Sequence, residues 1–195
     1  RRPPRSTQGV SSAASDVYKR QQVGPVEGAL LRLLVRISGA KTVLEIGTYS
    51  GYSALVMAAA LPADGQLITC DIDPVTSAVA QRYFERSIHA ARITLRLGDA
   101  LESVQSMAKE GARFDFAFLD ADKPRYADYW KTILPMIPSG GLIIADNTLW
   151  GGRVLDPVRD SDKGIVKFND LVAADTRVEQ VLLPVRDGVT VCRKI

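Results

Sequence analysis

Two stretches of this sequence end in oxygen-bearing side chains whose spacing suits ion binding. FLDADKPRY (118–126) carries Asp120, and IIADNTLW (143–150) carries Asp146 and Asn147, each just after an apolar run that reads as a strand. If those strands are parallel neighbours, their carboxyl ends stand roughly 4.8 Å apart, and the three side chains meet at one rim. Three hard oxygen donors suit Mg²⁺, Mn²⁺ or Ca²⁺, with water and an oxygen-bearing substrate completing the shell. Two carboxylates at that separation repel each other unless a cation or a proton intervenes. Either motif alone would also serve as a helix cap or turn former; their coincidence favours the ion. Lys123 follows Asp120 within one helical turn. Near a metal and partly desolvated, its ammonium should lose its proton more readily and could then accept one from a hydroxyl, a surface salt bridge being the plainer alternative.

A second constellation lies nearer the start. VLEIGTYSGYSAL (43–55) reads strand, glycine turn, helix. Gly47 and Gly51 let the backbone bend sharply and approach a ligand, and the free amides at the helix start face whatever sits there. The spacing is GxxxG rather than the GxGxxG of a dinucleotide fingerprint, and any tight strand-to-helix turn could use it. Glu45, at the strand end, would repel a pyrophosphate and suits a ligand with an ammonium group. Asp71 ends the next strand, where a carboxylate can accept both ribose hydroxyls. S-adenosylmethionine has an ammonium, a sulfonium and a ribose, and no phosphate. Gly98-Asp99, after the third strand, can meet an adenine edge; Asp99 reads equally well as a helix N-cap, and the two roles are compatible.

The elements that must position these residues follow from periodicity. Residues 25–38 predict a helix with Leu30, Leu31, Leu34 and Ile37 on one face, opened by Pro25 and closed by Gly39. Strands are predicted at 42–47, 66–73, 93–97, 114–120 and within 139–147. Helices are predicted at 53–61, 74–86, 99–109 and 126–137, the last broken before Pro135. A loop over 148–163 precedes a helix at about 164–174. The chain closes with strands at 178–185 and 189–195 joined through Arg186-Asp187-Gly188, a hairpin signal. Strand and helix alternate before that hairpin, and the strands are short and nearly all apolar, as in a parallel sheet covered on both faces. Residues 1–21, rich in Arg, Pro and Ser without apolar periodicity, read as a disordered or non-native leader, and 22–195 as one domain.

Composition excludes several classes. Apolar residues make 46% and charged residues 24% of the chain, with a net charge of +3, so no basic surface demands nucleic acid. No apolar run approaches the ~20 residues that cross a bilayer, and a cytoplasmic protein is expected. Cys70 and Cys192 sit in apolar strands and read as two buried thiols rather than a disulfide. The lone histidine, His89, falls in a helix-to-strand connection, which disfavours a Ser-His-Asp or Cys-His hydrolase and rules out a multi-histidine zinc site.

These motifs resemble the cation-dependent O-methyltransferases, the family of caffeoyl-CoA and catechol O-methyltransferases, and bacterial members above all. The similarity covers about residues 22–195, and its most specific pieces are VLEIGTYSGYSAL, ITCDIDP, FLDADK and ADNTLWGGRV. It implies an α/β class I methyltransferase fold, Rossmann-like, with seven strands ordered 3-2-1-4-5-7-6, the last antiparallel, and helices on both faces. It implies Asp120, Asp146 and Asn147 as metal ligands and Lys123, beside Asp120, as the general base. Glu45, Gly47, Tyr49 and Ser53 would line the amino-acid end of S-adenosylmethionine, Asp71 would bind its ribose, Asp99 and Ala100 would lie by its adenine, and Asp120 would border it as well. The expected reaction is methyl transfer to a small ortho-dihydroxy phenol of catechol, caffeoyl or flavonoid type, with Mg²⁺ the first choice of cation. Trp150, Tyr126 and Tyr129 are candidates for an aromatic acceptor wall or for plain packing. The resemblance also implies a homodimer acting on a small molecule, with neither nucleic acid nor membrane as partner. The family carries several helices ahead of the segment QVGPVEGALLRLL, where this chain has the unlike leader. A truncated fragment that binds the donor with impaired turnover is therefore the alternative. A nicotinamide-dependent dehydrogenase is a more distant one, opposed by the missing GxGxxG, by Glu45 and by the terminal hairpin.

Overall fold

The computed structural model describes residues 22–195; the leader expected over 1–21 lies outside them. Helix α1 (Pro25–Ser38) starts with proline at its first turn and ends where Gly39 adopts a left-handed φ of 66°, a conformation glycine accepts at no steric cost. Strand β1 (Thr42–Ile46) leads into α2 (Tyr52–Ala58), and β2 (Gln66–Asp71) into α3 (Pro74–Glu85). Strand β3 (Ile93–Leu97) precedes α4 (Ala100–Lys109), and β4 (Phe116–Leu119) precedes α5 (Tyr126–Ile133). After β5 (Leu142–Ala145) come α6 (Asp160–Ala173) and the strands β6 (Val178–Leu183) and β7 (Val189–Lys194).

The strands form one seven-stranded sheet in the order β3-β2-β1-β4-β5-β7-β6, as the resemblance implied. β1 pairs parallel with both β2 and β4, β4 pairs parallel with β5, and β7 runs antiparallel to β5 and β6. Because β1 lies next to β4, the chain reverses its direction of growth between them. The crevice outside the carboxyl ends at such a point is where open α/β sheets bind ligands. Each face of the sheet carries its own core. On one face Leu31 and Val35 of α1, Ala54 and Met57 of α2, and Ala80 and Phe84 of α3 pack on Val43, Leu67, Phe116 and Phe118. On the other, Val104 and Met107 of α4, Tyr126, Tyr129 and Trp130 of α5, and Ile165 and Phe168 of α6 pack on Leu44, Ile46, Ala117 and Leu119. Both cysteines are buried and free.

Three expectations need correction. The inward face of α1 runs through Glu27, Gly28, Leu31 and Val35, and Ile37 is 72% exposed; the leucine run set the expected face, but Gly28 turns inward because Tyr52 at the start of α2 fills the space a Cβ there would need. Helix α6 begins at Asp160 rather than near 164, because Asp162 accepts the amides of Val158 and Arg159 and so caps an acidic first turn. The stretch read as loop before it holds a 3-10 segment over Trp150–Leu155. The break in α5 falls where expected, with the chain continuing as a 3-10 turn, Leu134–Met136. Among the described residues no helix is long and apolar enough to cross a membrane.

Candidate active site

The turn after β1 is shaped by close backbone approach. Gly47 has φ 101°, and a Cβ there would lie 1.9 Å from the carbonyl oxygen of Asp120, so no side chain fits where β1 and β4 diverge. Tyr49 also has a left-handed φ, 47°, and its amide donates to Asp71 Oδ2 at 2.7 Å. Asp71 Oδ1 takes the amide of Asp73 at 2.9 Å. The end of β2 is thus tied to the glycine turn, with the Asp71 carboxylate fixed at the pocket edge.

Glu45 lies beneath this turn, 0% exposed. Thr69 donates to its Oε2 at 2.6 Å, and the Thr69 hydroxyl meets that of Thr48 at 2.5 Å. Its Oε1 is buried without a partner. Burial pushes the carboxyl up to about 8, with the Ser53 and Thr69 hydroxyls acting against that rise. A small recess above it is bordered by Val23, Gly47, Thr48, Tyr49, Ser53 and Asp120. A buried carboxyl with an unused oxygen beneath such a recess would ionise readily against a ligand cation.

A cavity of about 210 Å³ continues from the turn along the ends of β2 and β3, bordered by Gly47, Tyr49, Asp71, Ile72, Ala100, Asp122 and Arg125 among others. Asp99 is placed beside it with its carboxylate engaged: it caps α4 by accepting Glu102 N at 3.1 Å and pairs with Arg125 at 2.7 Å. Arg125 also pairs with Asp122 at 2.6 Å, and Tyr129 donates to Asp122 at 2.7 Å. The Arg125 guanidinium holds the Asp99 carboxyl below the usual carboxylate range.

Across the switch point, the parallel register of β4 and β5 sets Leu119 opposite Ala145, so Asp120 and Asp146 leave the sheet side by side. The Asp146 amide bonds to Leu119 O at 3.0 Å. Asn147, the next residue, has a left-handed φ of 59°. Lys123 is 8% exposed, and its Nζ donates to Asp120 Oδ1 at 2.8 Å and to the Tyr126 hydroxyl at 2.7 Å. Gly164 of α6 allows this: a Cβ there would stand 2.5 Å from Lys123 O. Burial, then Asp120, then Glu27 lift the Asp146 carboxyl to about 8. A cavity of about 560 Å³ opens above, bordered by Tyr49, Asp120, Asp122, Lys123, Asn147, Trp150, Ser161 and Asp187. Asp120 borders all three spaces.

Of the three aromatic candidates, Trp150 faces this upper cavity, its indole donating to Asp162 at 2.7 Å. Tyr126 is 0% exposed and packs on Phe168; it is core, and only its hydroxyl serves the site, beneath Lys123. Tyr129 is likewise buried and borders the smaller cavity. Residue patterns missed Glu27, buried in the first turn of α1 with Oε2 3.2 Å from Arg186 Nη1. A carboxylate at a helix start reads as an ordinary exposed first-turn acid; its only sequence signal is its place on the inward face beside Gly28.

Known proteins agree with this geometry. The family model for O-methyltransferases matches residues 7–195. A caffeoyl-CoA O-methyltransferase of Petroselinum crispum is 39% identical over 180 residues, 87% of this chain and 75% of that protein. Tricin synthase 2 of Oryza sativa subsp. japonica is 38% identical, over 88% of this chain and 62% of its own. Among solved structures, the O-methyltransferase from Bacillus cereus in complex with SAH superposes with a TM-score of 0.86 at 32% identity, covering 99% of this chain and 92% of that one. TomG from Streptomyces achromogenes, solved with SAM, gives 0.85 at 29% identity, covering 97% and 91%. With the sheet order, the glycine turn and the acidic rim all in place, the chain belongs to the O-methyltransferase family.

Proposed function

We propose that this protein transfers a methyl group from S-adenosylmethionine to one hydroxyl of a small ortho-dihydroxy phenol, in a reaction that needs a divalent cation. The observation that carries the proposal is the position of Asp120, which borders the recess above Glu45, the cavity beside Asp71 and the open cavity under Trp150. A donor lying along the first two would present its sulfonium methyl to an acceptor in the third.

The residues fit a cation. Asp120 and Asp146 leave the ends of neighbouring strands, with Lys123 ion-paired to Asp120, and burial raises the Asp146 carboxyl. Two carboxylates with the Asn147 amide oxygen form an all-oxygen donor set of the kind hard cations take. Asp120, Asp146 and Asn147 would hold the ion, Mg²⁺ in preference to Mn²⁺ or Ca²⁺, and when bound it supplies Lewis acidity toward a phenolic hydroxyl. The chain's own residues do the rest. Glu45, through Ser53 and Thr69, receives the donor's ammonium end; Asp71 accepts from the ribose hydroxyls; Ala100, with Asp99 behind it, flanks the base. Lys123, after passing one proton of its ammonium to solvent, takes the proton from the hydroxyl oxygen, and that oxygen displaces S-adenosylhomocysteine from the methyl carbon. Much of the acceleration comes from holding oxygen, carbon and sulfur in line.

The caffeoyl-CoA and tricin names of the relatives support acceptors with adjacent hydroxyls. A homodimer is part of the same proposal, supported by Val26, Leu33 and Ile37, exposed apolar side chains along α1. A cytoplasmic setting, without nucleic acid or membrane, completes it. The test is transfer from labelled S-adenosylmethionine to catechol, caffeic acid and a catechol-ring flavonoid beside their monohydroxy counterparts. Labelled ethers from the dihydroxy compounds alone are expected. Donor binding without any transfer would favour the impaired-fragment alternative, and equal transfer to monophenols would overturn the adjacent-hydroxyl requirement.

A further inference from the structure

Asp162 lies outside the donor pocket and the acidic rim, yet it is 2% exposed and gathers donors from two elements. Its oxygens have separate tasks. Oδ2 accepts the backbone amides of Arg159 at 2.9 Å and Val158 at 3.3 Å, and so starts α6. Oδ1 accepts the Trp150 indole N–H at 2.7 Å, with Arg153 Nε at 3.4 Å and the Ser161 hydroxyl at 3.4 Å beside it. The Arg153 guanidinium in turn stands 4.7 Å from the centre of the Trp150 ring. One buried carboxylate thus ties the helix to the segment that borders the upper cavity. That segment needs holding: Trp150 has φ 49°, and Gly151 and Gly152 follow at 59° and 78°. Left-handed backbone is unfavourable for a bulky residue and persists where its surroundings fix it. Trp150 and Ser161 border the cavity of about 560 Å³ together with Asp120, Lys123 and Asn147, and a planar ring held there can stack on the indole.

We infer that Asp162 is a positioning residue for the acceptor: through Oδ1 it fixes the Trp150 indole as the surface against which the phenol ring rests, and so sets acceptor affinity without touching acceptor or donor. This rests on the methyl-transfer reading above. The bond from the indole runs to a charged acceptor, which makes it stronger and more directional than one between neutral groups.

The test is catechol KM, kcat and S-adenosylhomocysteine affinity in Asp162→Asn, Trp150→Phe and the double variant. An Asn oxygen can keep the two backbone amides while its NH₂ group meets the indole N–H, donor against donor, so the helix start is retained and the loop contact is lost. In Asp162→Asn, KM should rise about tenfold, the scale of one hydrogen bond to a charged group, while kcat and S-adenosylhomocysteine affinity change less than about threefold. Trp150→Phe leaves the helix start untouched and guards against misfolding. It should raise KM at least as much, and adding Asp162→Asn to it should raise KM less than about twofold further. Effects that multiply, or an Asp162→Asn loss in kcat or S-adenosylhomocysteine affinity with KM unchanged, would overturn the inference. Fluorescence gives a second reading, since the chain has two tryptophans and Trp130 is core, its indole donating to Asp175 at 3.0 Å. With S-adenosylhomocysteine and Mg²⁺ present, catechol should quench the emission of the unsubstituted protein, and equal quenching in Trp150→Phe would contradict the assignment. An unsubstituted protein that binds the donor and methylates no catechol would overturn the methyl-transfer reading itself, and the role of Asp162 with it.

Discussion

The two halves of the crevice are built on opposite principles. At the donor end, over β1 and β2, most polar groups are tied to the protein, with one oxygen kept open: Asp71 takes two backbone amides, Thr69 holds one oxygen of Glu45 and meets Thr48, and the other Glu45 oxygen has no partner. At the acidic rim, over β4 and β5, the groups oppose one another: Asp146 is raised by Asp120 and Glu27, Glu27 keeps an orphaned oxygen, and Asn147 and Trp150 hold left-handed backbone. A preorganised pocket can receive its ligand with little rearrangement. A rim of opposed carboxyls suits a cation, and that is where the proposed chemistry lies.

Substitutions should separate the two ends. The largest effect is expected at the rim: Asp146→Ala should abolish detectable transfer while S-adenosylhomocysteine still binds, as read by calorimetry. Loss of donor binding instead would erase the proposed division. Lys123→Ala should follow, with kcat lower by about 10²–10⁴-fold and donor affinity nearly intact; unchanged turnover would remove Lys123 from the role of base. At the junction, Gly47→Ala must move the Asp120 carbonyl and adopt an unfavourable φ. Both mechanisms point to a destabilisation of roughly 3 kcal/mol, visible as a lower Tm, and a neutral substitution would mean that the turn relaxes.

A subtler contrast is pH dependence. Burial raises Glu45 from 4.5 to about 8 and Asp146 from 3.8 to about 8. A carboxyl whose folded pKa lies above its unfolded one binds more protons in the folded state between those values, so stability falls as pH rises through that window. The ligand-free protein should therefore lose Tm between about pH 5 and 8. Glu45→Gln should flatten part of that loss, S-adenosylmethionine should offset the Glu45 share, and Mg²⁺ the Asp146 share. A Tm that rises over the same range would contradict both assignments. The smallest effect belongs to Arg125, a third exposed in its side chain. Arg125→Ala should weaken donor binding only a few-fold, in keeping with the ~1 kcal/mol or less of such ion pairs.

How much of this could be read from the residues depends on the range of the interactions involved. The β1–α2 turn was legible because Gly47, Glu45 and Asp71 are each tied to a strand end. The Asp120–Asp146–Asn147 rim was legible because register between neighbouring parallel strands follows from their ends. Asp99 filled the capping role that its neighbours predicted. Glu27 was not legible: its burial depends on Arg186, far along the chain, and on the turn of α1 that puts Gly28 rather than Ile37 inward. Tyr126 stayed open between acceptor wall and packing for the same reason, since only the packing of α6 through Phe168 and Gly164 decides that its ring is core and its hydroxyl a support for Lys123. The start of α6 turned on Asp162, whose side-chain cap competes with the loop character of the residues around it.

The most direct test of the whole account is methyl transfer to catechol before chelation, after chelation and after return of Mg²⁺, with S-adenosylhomocysteine binding followed in the same samples. The account predicts that chelation abolishes transfer, that Mg²⁺ restores it, and that donor binding persists throughout. Transfer that survives complete removal of divalent cations would contradict it, leaving the acidic rim without the ion around which its residues are arranged.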